Sequence, residues 1–408
     1  MHIKPIASIE ILSPDNKRTI TITPRNKNLI ITGKNGSGKT TILKKIYQSL
    51  VEKLTSGDIS YELILAEKLK NLENSDNPPP QKNSDLYYEL LKDQETLKRL
   101  QENNPFTLEY PFQFDKDFQS QIATIEYFGA DRQALISAAA GVSNIPLSQT
   151  QPPKIPLDNK LETSLEQHIV NLYVRKAIAL YLDKNTKVAD SIDSWLKNFE
   201  ADLQSLTEDS STTITFDADN FRIFIKQEDK DPYSFQNISS GHSAFLCVFS
   251  RLLMRATHLK ISPDQLKGVA FIDEIDVHLH VSLQKKILPF LIKSFPNIQF
   301  ITTTHSPFIL TSTDDSIIYD ISSGHHVEDL SSYSYEAILE GFFGVHSASE
   351  KLQARIKKIS HLTNQKKINA IKLSELVDSI SPYLDHLDTE SKLFYSKARL
   401  ILTHKKED

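Results

Sequence analysis

Three of the chain's 11 glycines stand between residues 33 and 38, in the run Gly33-Lys-Asn-Gly-Ser-Gly-Lys39-Thr40. Small residues at that spacing let consecutive backbone N–H groups turn inward on a polyphosphate, and a helix starting beside them adds its positive N-terminal end. Asn35, Gly36, Ser37, Gly38, Lys39, Thr40 and Thr41 are therefore the expected nucleotide cradle. Lys39 is expected to reach the β- and γ-phosphate oxygens, and Thr40 to offer its hydroxyl to Mg²⁺. Further on, Gly268-Val-Ala-Phe-Ile-Asp273-Glu274 is an apolar strand ending in two carboxylates. That order suits Asp273 as the metal ligand and Glu274 as the general base that polarises an attacking water. A third apolar run, Gln299-Phe-Ile-Thr-Thr-Thr304-His305, ends in a histidine whose neutral imidazole can sense the γ-phosphate or the water. Asp276-Val-His278-Leu-His280, taken with Asp273 and Glu274, also carries metal-ligand residue types. Hard Mg²⁺ prefers oxygen, however, and an imidazole-rich zinc site has no need of a phosphate loop.

Asn237-Ile-Ser239-Ser240-Gly241-His242 precedes a long apolar helix, so its hydroxyls and N–H groups make a second helix start suited to an anion. One chain already has one phosphate cradle. A second anion site is sensible if two chains face each other and each caps the nucleotide held by its partner; the alternative is a plain N-cap serine. Gly241-His-Ser243-Ala-Phe245 lacks the second glycine of a nucleophile elbow, which disfavours a serine hydrolase.

These residues need a sheet to hold them. Ile6 to Leu12 and Thr19 to Thr23 alternate apolar and polar as half-buried strands do, and Asn28 to Thr32 reads as a buried strand entering the glycine loop. Ile42, Leu43, Ile46, Leu50 and Val51 fit one face of the helix that follows. Tyr61 to Gln101 reads as a helical insertion broken by Asn74 to Pro80, Phe112 to Ile125 as strand material, and Ile145 to Pro156 as a proline-rich linker. Residues 161–206 read as helical, Thr212 to Phe216 and Phe221 to Ile225 as strands. Beyond Ser239 helices and strands alternate, which implies a largely parallel α/β sheet with its ligands at the strand C-terminal ends. The expected divisions are 1–60 (head, with the glycine loop), 61–105 (helical insertion), 106–145 (head strands), 146–206 (linker and helical subdomain), 207–345 (head again) and 346–408 (helical tail).

With 408 residues, 39% hydrophobic and 24% charged, the chain has the composition of a globular protein of two or three units, which excludes wholesale disorder and fibrous folds. Its net charge of −5 provides no global attraction for nucleic acid or anionic membrane. The single cysteine, Cys247, excludes an intrachain disulfide framework and suits a reducing compartment. With no signal-like start and no apolar run long enough to span a bilayer, the expectation is a cytoplasmic protein with no membrane segment. In the tail, Lys351, Arg355, Lys357, Lys358, Lys366, Lys367 and Lys372 occur without an acidic residue among them. They form either a solvated face or a dock for DNA, RNA or an acidic partner.

The order of motifs resembles the ABC-type ATPases of the RecF, SMC and OLD lineage. Within it, the chain is similar to the stand-alone ATPase subunits of bacterial anti-phage systems of the Septu, retron and PARIS kinds. The resemblance rests on about residues 1–60, 120–135 and 235–345. It implies an α/β fold, an ABC-type P-loop ATPase head with a mixed sheet flanked by helices, carrying helical insertions and an all-helical C-terminal tail. It also implies ATP and Mg²⁺ as cofactors and a homodimer or higher homo-oligomer formed through ATP-bound heads. In that scheme Ser239, Ser240 and Gly241 are the signature loop, Glu274 the catalytic carboxylate and His305 the switch histidine. The signature reads Ile-Ser-Ser-Gly-His where the family has Ser-Gly-Gly followed by Gln or Glu, which implies slow or regulatory hydrolysis. The tail lacks the strands of a TOPRIM-type nuclease, so a separately encoded effector, a nuclease, is the expected partner. A RecF-like clamp on DNA and a switch that binds ATP without turnover are the alternatives.

Overall fold

The computed structural model describes residues 3–13, 18–73, 84–102, 104–143, 160–344, 348–365 and 369–407. The proline-rich break at 74–80, the linker at 145–156, and Lys366 and Lys367 lie outside these residues. The chain divides into two compact units, Met1–Ser332 and Tyr333–Asp408. The division thus falls before residue 346, where the sequence placed the start of the tail.

In the first unit, β1 (Ile6–Leu12) and β2 (Thr19–Ile22) pair antiparallel, and their alternation buries Ile9, Ile11, Ile20 and Ile22. The wholly buried β3 (Asn28–Thr32) feeds the glycine loop and then α1 (Lys39–Ser56), which buries Ile42, Leu43, Ile46, Leu50 and Leu54. Next come α2 (Asp58–Glu73) and α3 (Asp85–Gln101); α3 has no buried residue. The chain returns through β4 (Phe106–Leu108), which pairs with β1.

Phe112 to Ile125 is not continuous strand. Pro111 to Gln119 forms α4, followed by β5 (Ala123–Phe128). Pro111 occupies the first turn, where its missing N–H costs nothing, and Phe114 and Phe118 stand four apart on the face that meets the core. Aromatic content suggested a strand; the proline start and the i,i+4 spacing made a helix. Helices α5 (Leu165–Tyr181) and α6 (Thr186–Thr207) precede a small antiparallel sheet of β6 (Thr213–Asp217), β7 (Arg222–Gln227) and β8 (Lys230–Ser234). Strand β8 gave no sequence signal because it is short, polar and contains Pro232, a residue tolerated at a sheet edge.

The chain continues through α7 (Ser240–His258), β9 (Lys267–Ile272), α8 (Val281–Ser294), β10 (Ile298–Thr303), α9 (Pro307–Leu310), β11 (Ser316–Asp320) and β12 (His326–Val327). The central sheet runs β12-β11-β3-β10-β9-β5, all parallel except the β12 edge. β10 therefore lies between the strand of the glycine loop and the strand of Asp273, and three chemical sequences end side by side.

Among its described residues the second unit is helical: α10 (Tyr335–Gly341), α11 (Glu350–Thr363), α12 (Ala370–Ile380) and α13 (Thr389–Glu407). Ile356, Ile359, Leu373, Val377, Tyr395 and Ala398 share its core. Lys351, Arg355, Lys357, Lys358 and Lys372 are exposed. Among the described residues no helix is long and apolar enough to cross a membrane.

His168 on α5 meets Trp195 edge-on at 5.0 Å, and its Nε2 is shut from water without a hydrogen-bond partner. Burial, aided by His258, lowers its pKa to about 4. The unfolded chain then binds a proton there near pH 6.5 and the folded chain does not, so stability rises with pH between about 4 and 6.5. Melting curves at pH 7 and pH 5 are expected to diverge less in His168→Phe than in wild type, the difference being on the order of 2 kcal/mol. Equal pH sensitivity in both proteins would rule this out.

Candidate nucleotide site

The loop between β3 and α1 is shaped by glycines. Gly33, Gly36 and Gly38 all have positive φ (141°, 75° and 90°), and Gly38 caps α1 in the left-handed region with no side-chain cap on the helix. Ser37 Oγ is shut from water and has no hydrogen-bond partner. Unclaimed polar capacity at an uncapped helix start fits an anion. Lys39 folds back over the loop, its Nζ donating to the Gly33 and Lys34 carbonyls at 3.1 and 3.2 Å. Burial pushes its pKa down, and the nearby charges of Glu274, Asp273, Asp276 and Asp320 oppose that push.

The buried Asp273 carboxylate is the junction of the site. Its Oδ1 accepts from Thr40 Oγ1 at 3.1 Å and from Thr303 Oγ1 at 2.6 Å. Thr303 Oγ1 in turn accepts the Glu274 N–H at 2.7 Å. Thr304 N–H donates to the Ile31 carbonyl, and Thr32 Oγ1 donates to the Thr304 carbonyl, so the end of β10 is stitched to the end of β3. His305 follows directly. Its imidazole is partly buried and held below its ordinary pKa, first by burial and then by Lys39, against the pull of Asp276 and Glu274. The structure thus brings Lys39, Thr40, Asp273, Glu274 and His305 to one end of one sheet.

Ser239 and Ser240 are exposed, and Ser239 Oγ pairs with His242 Nδ1 at 2.7 Å. Their turn is seated against the loop after β9: a Cβ at Gly241 would stand 2.6 Å from the His278 carbonyl oxygen. Glycine is needed there for close approach rather than for a special φ. His280 caps α8 and its Nδ1 meets Ser282 Oγ at 3.0 Å. Among the described residues no three His, Cys, Asp or Glu side chains are grouped to hold a metal, so Asp276, His278 and His280 form no such site with Asp273 and Glu274. The oxygen donors Asp273 and Thr40 fit a hard cation that takes its remaining ligands from water and phosphate.

Sequence reasoning assigned no role to Arg132, in the loop after β5. It is buried, and its guanidinium donates to the carbonyls of Gly129, Asp273, Glu274 and Ile275 at 2.7–3.2 Å. The available signal was a lone arginine just past an apolar strand, at the sheet end where ligands bind.

A glycine-rich loop between strand and helix, with carboxylates at the end of a parallel strand one place further along the sheet, defines the P-loop ATPase class of α/β fold. The chain belongs to the family described as "AAA domain, putative AbiEii toxin, Type IV TA system", which matches residues 29–311. It is similar to the "Retron Ec83 probable ATPase" of Escherichia coli, 30% identical over 165 residues that cover 39% of this chain and 29% of that one. It also matches the "Retron Vc95 probable ATPase" of Vibrio cholerae at 42% over 82 residues (19% and 16% of the two chains) and the Septu protein PtuA of Bacillus thuringiensis at 30% over 98 residues (23% and 24%). The matched parts span less than a third of each relative. Among solved structures, an SMC head bound to the C-winged helix domain of ScpA aligns with 79% of this chain and 96% of that one, at 14% identity and a TM-score of 0.37.

Gly241→Ala separates two opposed effects. Helix propensity alone favours alanine in α7 by about 1 kcal/mol. Because the clashing atom is backbone, overpacking of about 1–3 kcal/mol is expected to win, giving net destabilisation in urea unfolding. A more stable variant would mean that the His278 loop yields freely.

Proposed function

We propose that the protein is an ATPase whose heads pair around ATP and Mg²⁺ and whose nucleotide state regulates a separately encoded effector, a nuclease, in anti-phage defence in the cytoplasm. The observation that carries the reading is the Asp273 carboxylate, bonded to Thr40 of the glycine loop and to Thr303, which fixes the backbone of Glu274. Asn35 to Thr41 cradle the phosphates, and Lys39 leaves its own loop carbonyls for phosphate oxygens of higher charge. Thr40 and Asp273 hold Mg²⁺, which neutralises developing phosphate charge when bound. Glu274 accepts the proton of the attacking water. His305, kept neutral, hydrogen-bonds at the terminal phosphate. Ser239, Ser240 and Gly241 of one copy close the cradle of the other, which accords with the exposure of Ser239 and Ser240.

The defence role is supported by similarity to retron ATPases and to Septu PtuA. The helical unit provides a surface for an effector: a groove of about 560 Å³ lined by Lys357, Lys358, His361, Leu362, Lys372, Glu375 and Leu376, in which basic residues outnumber the single acidic one. A groove of this size suits an apolar anchor with acidic flanks.

Lys39→Met is expected to weaken binding of a fluorescent ATP analogue by at least about 10-fold. Glu274→Gln should bind ATP normally but turn it over about 10²–10⁴ times more slowly. In light scattering, Glu274→Gln with ATP should pass from one head to two, and adding Ser239→Arg should prevent pairing while leaving ATP bound. Unchanged turnover in Glu274→Gln would remove the general-base role, and pairing that survives Ser239→Arg would remove the shared-cradle geometry.

A further inference from the structure

We propose that Arg132 is the positioning residue of Glu274: a buried guanidinium that gathers three successive carbonyls and so sets the backbone turn from which the general base projects. This rests on the proposed role of Glu274 and adds a residue that acts through it.

The geometry is specific. One guanidinium nitrogen of Arg132 donates to the carbonyls of Gly129 (3.1 Å) and Asp273 (2.7 Å), and the other to those of Glu274 (3.2 Å) and Ile275 (2.9 Å). In an extended strand successive carbonyls point to opposite sides, so three in a row can reach one group only if the chain curls. It does so at Glu274, whose φ of 45° lies in the left-handed region. That conformation is unfavourable for a residue with a side chain and persists only where its surroundings impose it.

The surroundings do so from both sides. The N–H groups are held by neighbouring strands: Asp273 to the Phe128 carbonyl, Glu274 to Thr303 Oγ1 and Ile275 to the Thr303 carbonyl. The carbonyls are held by Arg132. With backbone donors and acceptors both fixed, the freedom that remains at Glu274 is that of its partly buried side chain.

Arginine's chemistry explains why it stands there. A planar fork with five N–H donors can serve several acceptors at once, whereas an ammonium cannot span the same set. Among the described residues no carboxylate is paired with Arg132, and its Nε is buried without a partner. Its hydrogen bonds go only to carbonyls, while Asp276, Asp273 and Glu274 act on it through space against the cost of burial, so it is a weaker device for stability than a paired ion. It is a good device for holding a turn.

The test compares Arg132→Lys, which keeps the charge but not the fork, with Arg132→Met, alone and combined with Glu274→Gln. If the fork matters, both single variants lower kcat at least about 30-fold with KM for ATP within about 3-fold of wild type. On the Glu274→Gln background the Arg132 change should cost less than about 3-fold further, since no carboxylate remains to be aimed. Wild-type kcat in Arg132→Lys, a raised KM with unchanged kcat, or losses that multiply in the double variant would each overturn the proposal. So would failure of both single variants to fold, because the guanidinium would then hold the fold rather than the base.

Amide hydrogen exchange on the nucleotide-free protein gives a reading independent of turnover. Protection lost in Arg132→Lys at residues 273–276 while the rest of the sheet stays protected supports the clamp, and unchanged protection there overturns it. A wild-type protein that binds no ATP would refute the proposed function, whereas the exchange measurement would still judge the clamp by itself.

Discussion

The site depends on a buried carboxylate that cannot be left unpaired. Taking Asp273 out of water is costly unless its oxygens are satisfied, and the groups that satisfy it come from different elements. Thr40 belongs to the start of α1 and Thr303 to the end of β10. The bonds that make the charge tolerable therefore also set the spacing of the glycine loop, the Asp273 strand and the strand leading to His305. A hard cation needs the same oxygen donors, so the arrangement serves burial and chemistry together.

Electrostatics follows from that junction. Lys39 is pushed towards its neutral form by burial, and Glu274, Asp273, Asp276 and Asp320 oppose that push. His305 is pushed the same way, by burial and then by Lys39, against the pull of Asp276 and Glu274. The cluster thus sets a lysine beside its carboxylates and, next to it, an imidazole held below its ordinary pKa. In the proposed function, a phosphate entering this space replaces loop carbonyls as the partner of Lys39, and a neutral imidazole offers both donor and acceptor capacity.

Much of this was legible in the sequence because the signals were local. Asn28 to Thr32, Gly268 to Asp273 and Gln299 to Thr303 are short apolar runs ending in chemical residues, and a parallel sheet brings such ends together. What was not legible depended on three-dimensional company. The aromatic residues from Phe112 to Phe118 look the same in a strand and in a helix until Pro111 is read as a helix start. Strand β8 exists because β7 offers an edge, not because Lys230 to Ser234 favours extension. Thr303 looked like one of three equivalent threonines, and only the alternation along β10 sets which hydroxyl meets Asp273. Arg132 has no periodic or motif signature, since its partners are carbonyls and carry no sequence information.

The exposed turn at Ser239 and the fixed turn at Glu274 are connected through backbone. Gly241 packs on the His278 carbonyl, Leu279 N–H returns to the Asp276 carbonyl, and Val277 N–H returns to the Glu274 carbonyl. From Glu274 the path continues to Arg132 and Thr303. Such a route carries coupling only where one of its links has two arrangements. Most of these contacts involve at least one backbone group held in a turn or strand. The Ser239–His242 bond is different: it joins two side chains, lies exposed, and exchanges donor and acceptor with the imidazole tautomer. In the proposed shared cradle, a phosphate competing for Ser239 Oγ acts on this side-chain link, which stands next to the contact of Gly241 with the loop that follows Glu274.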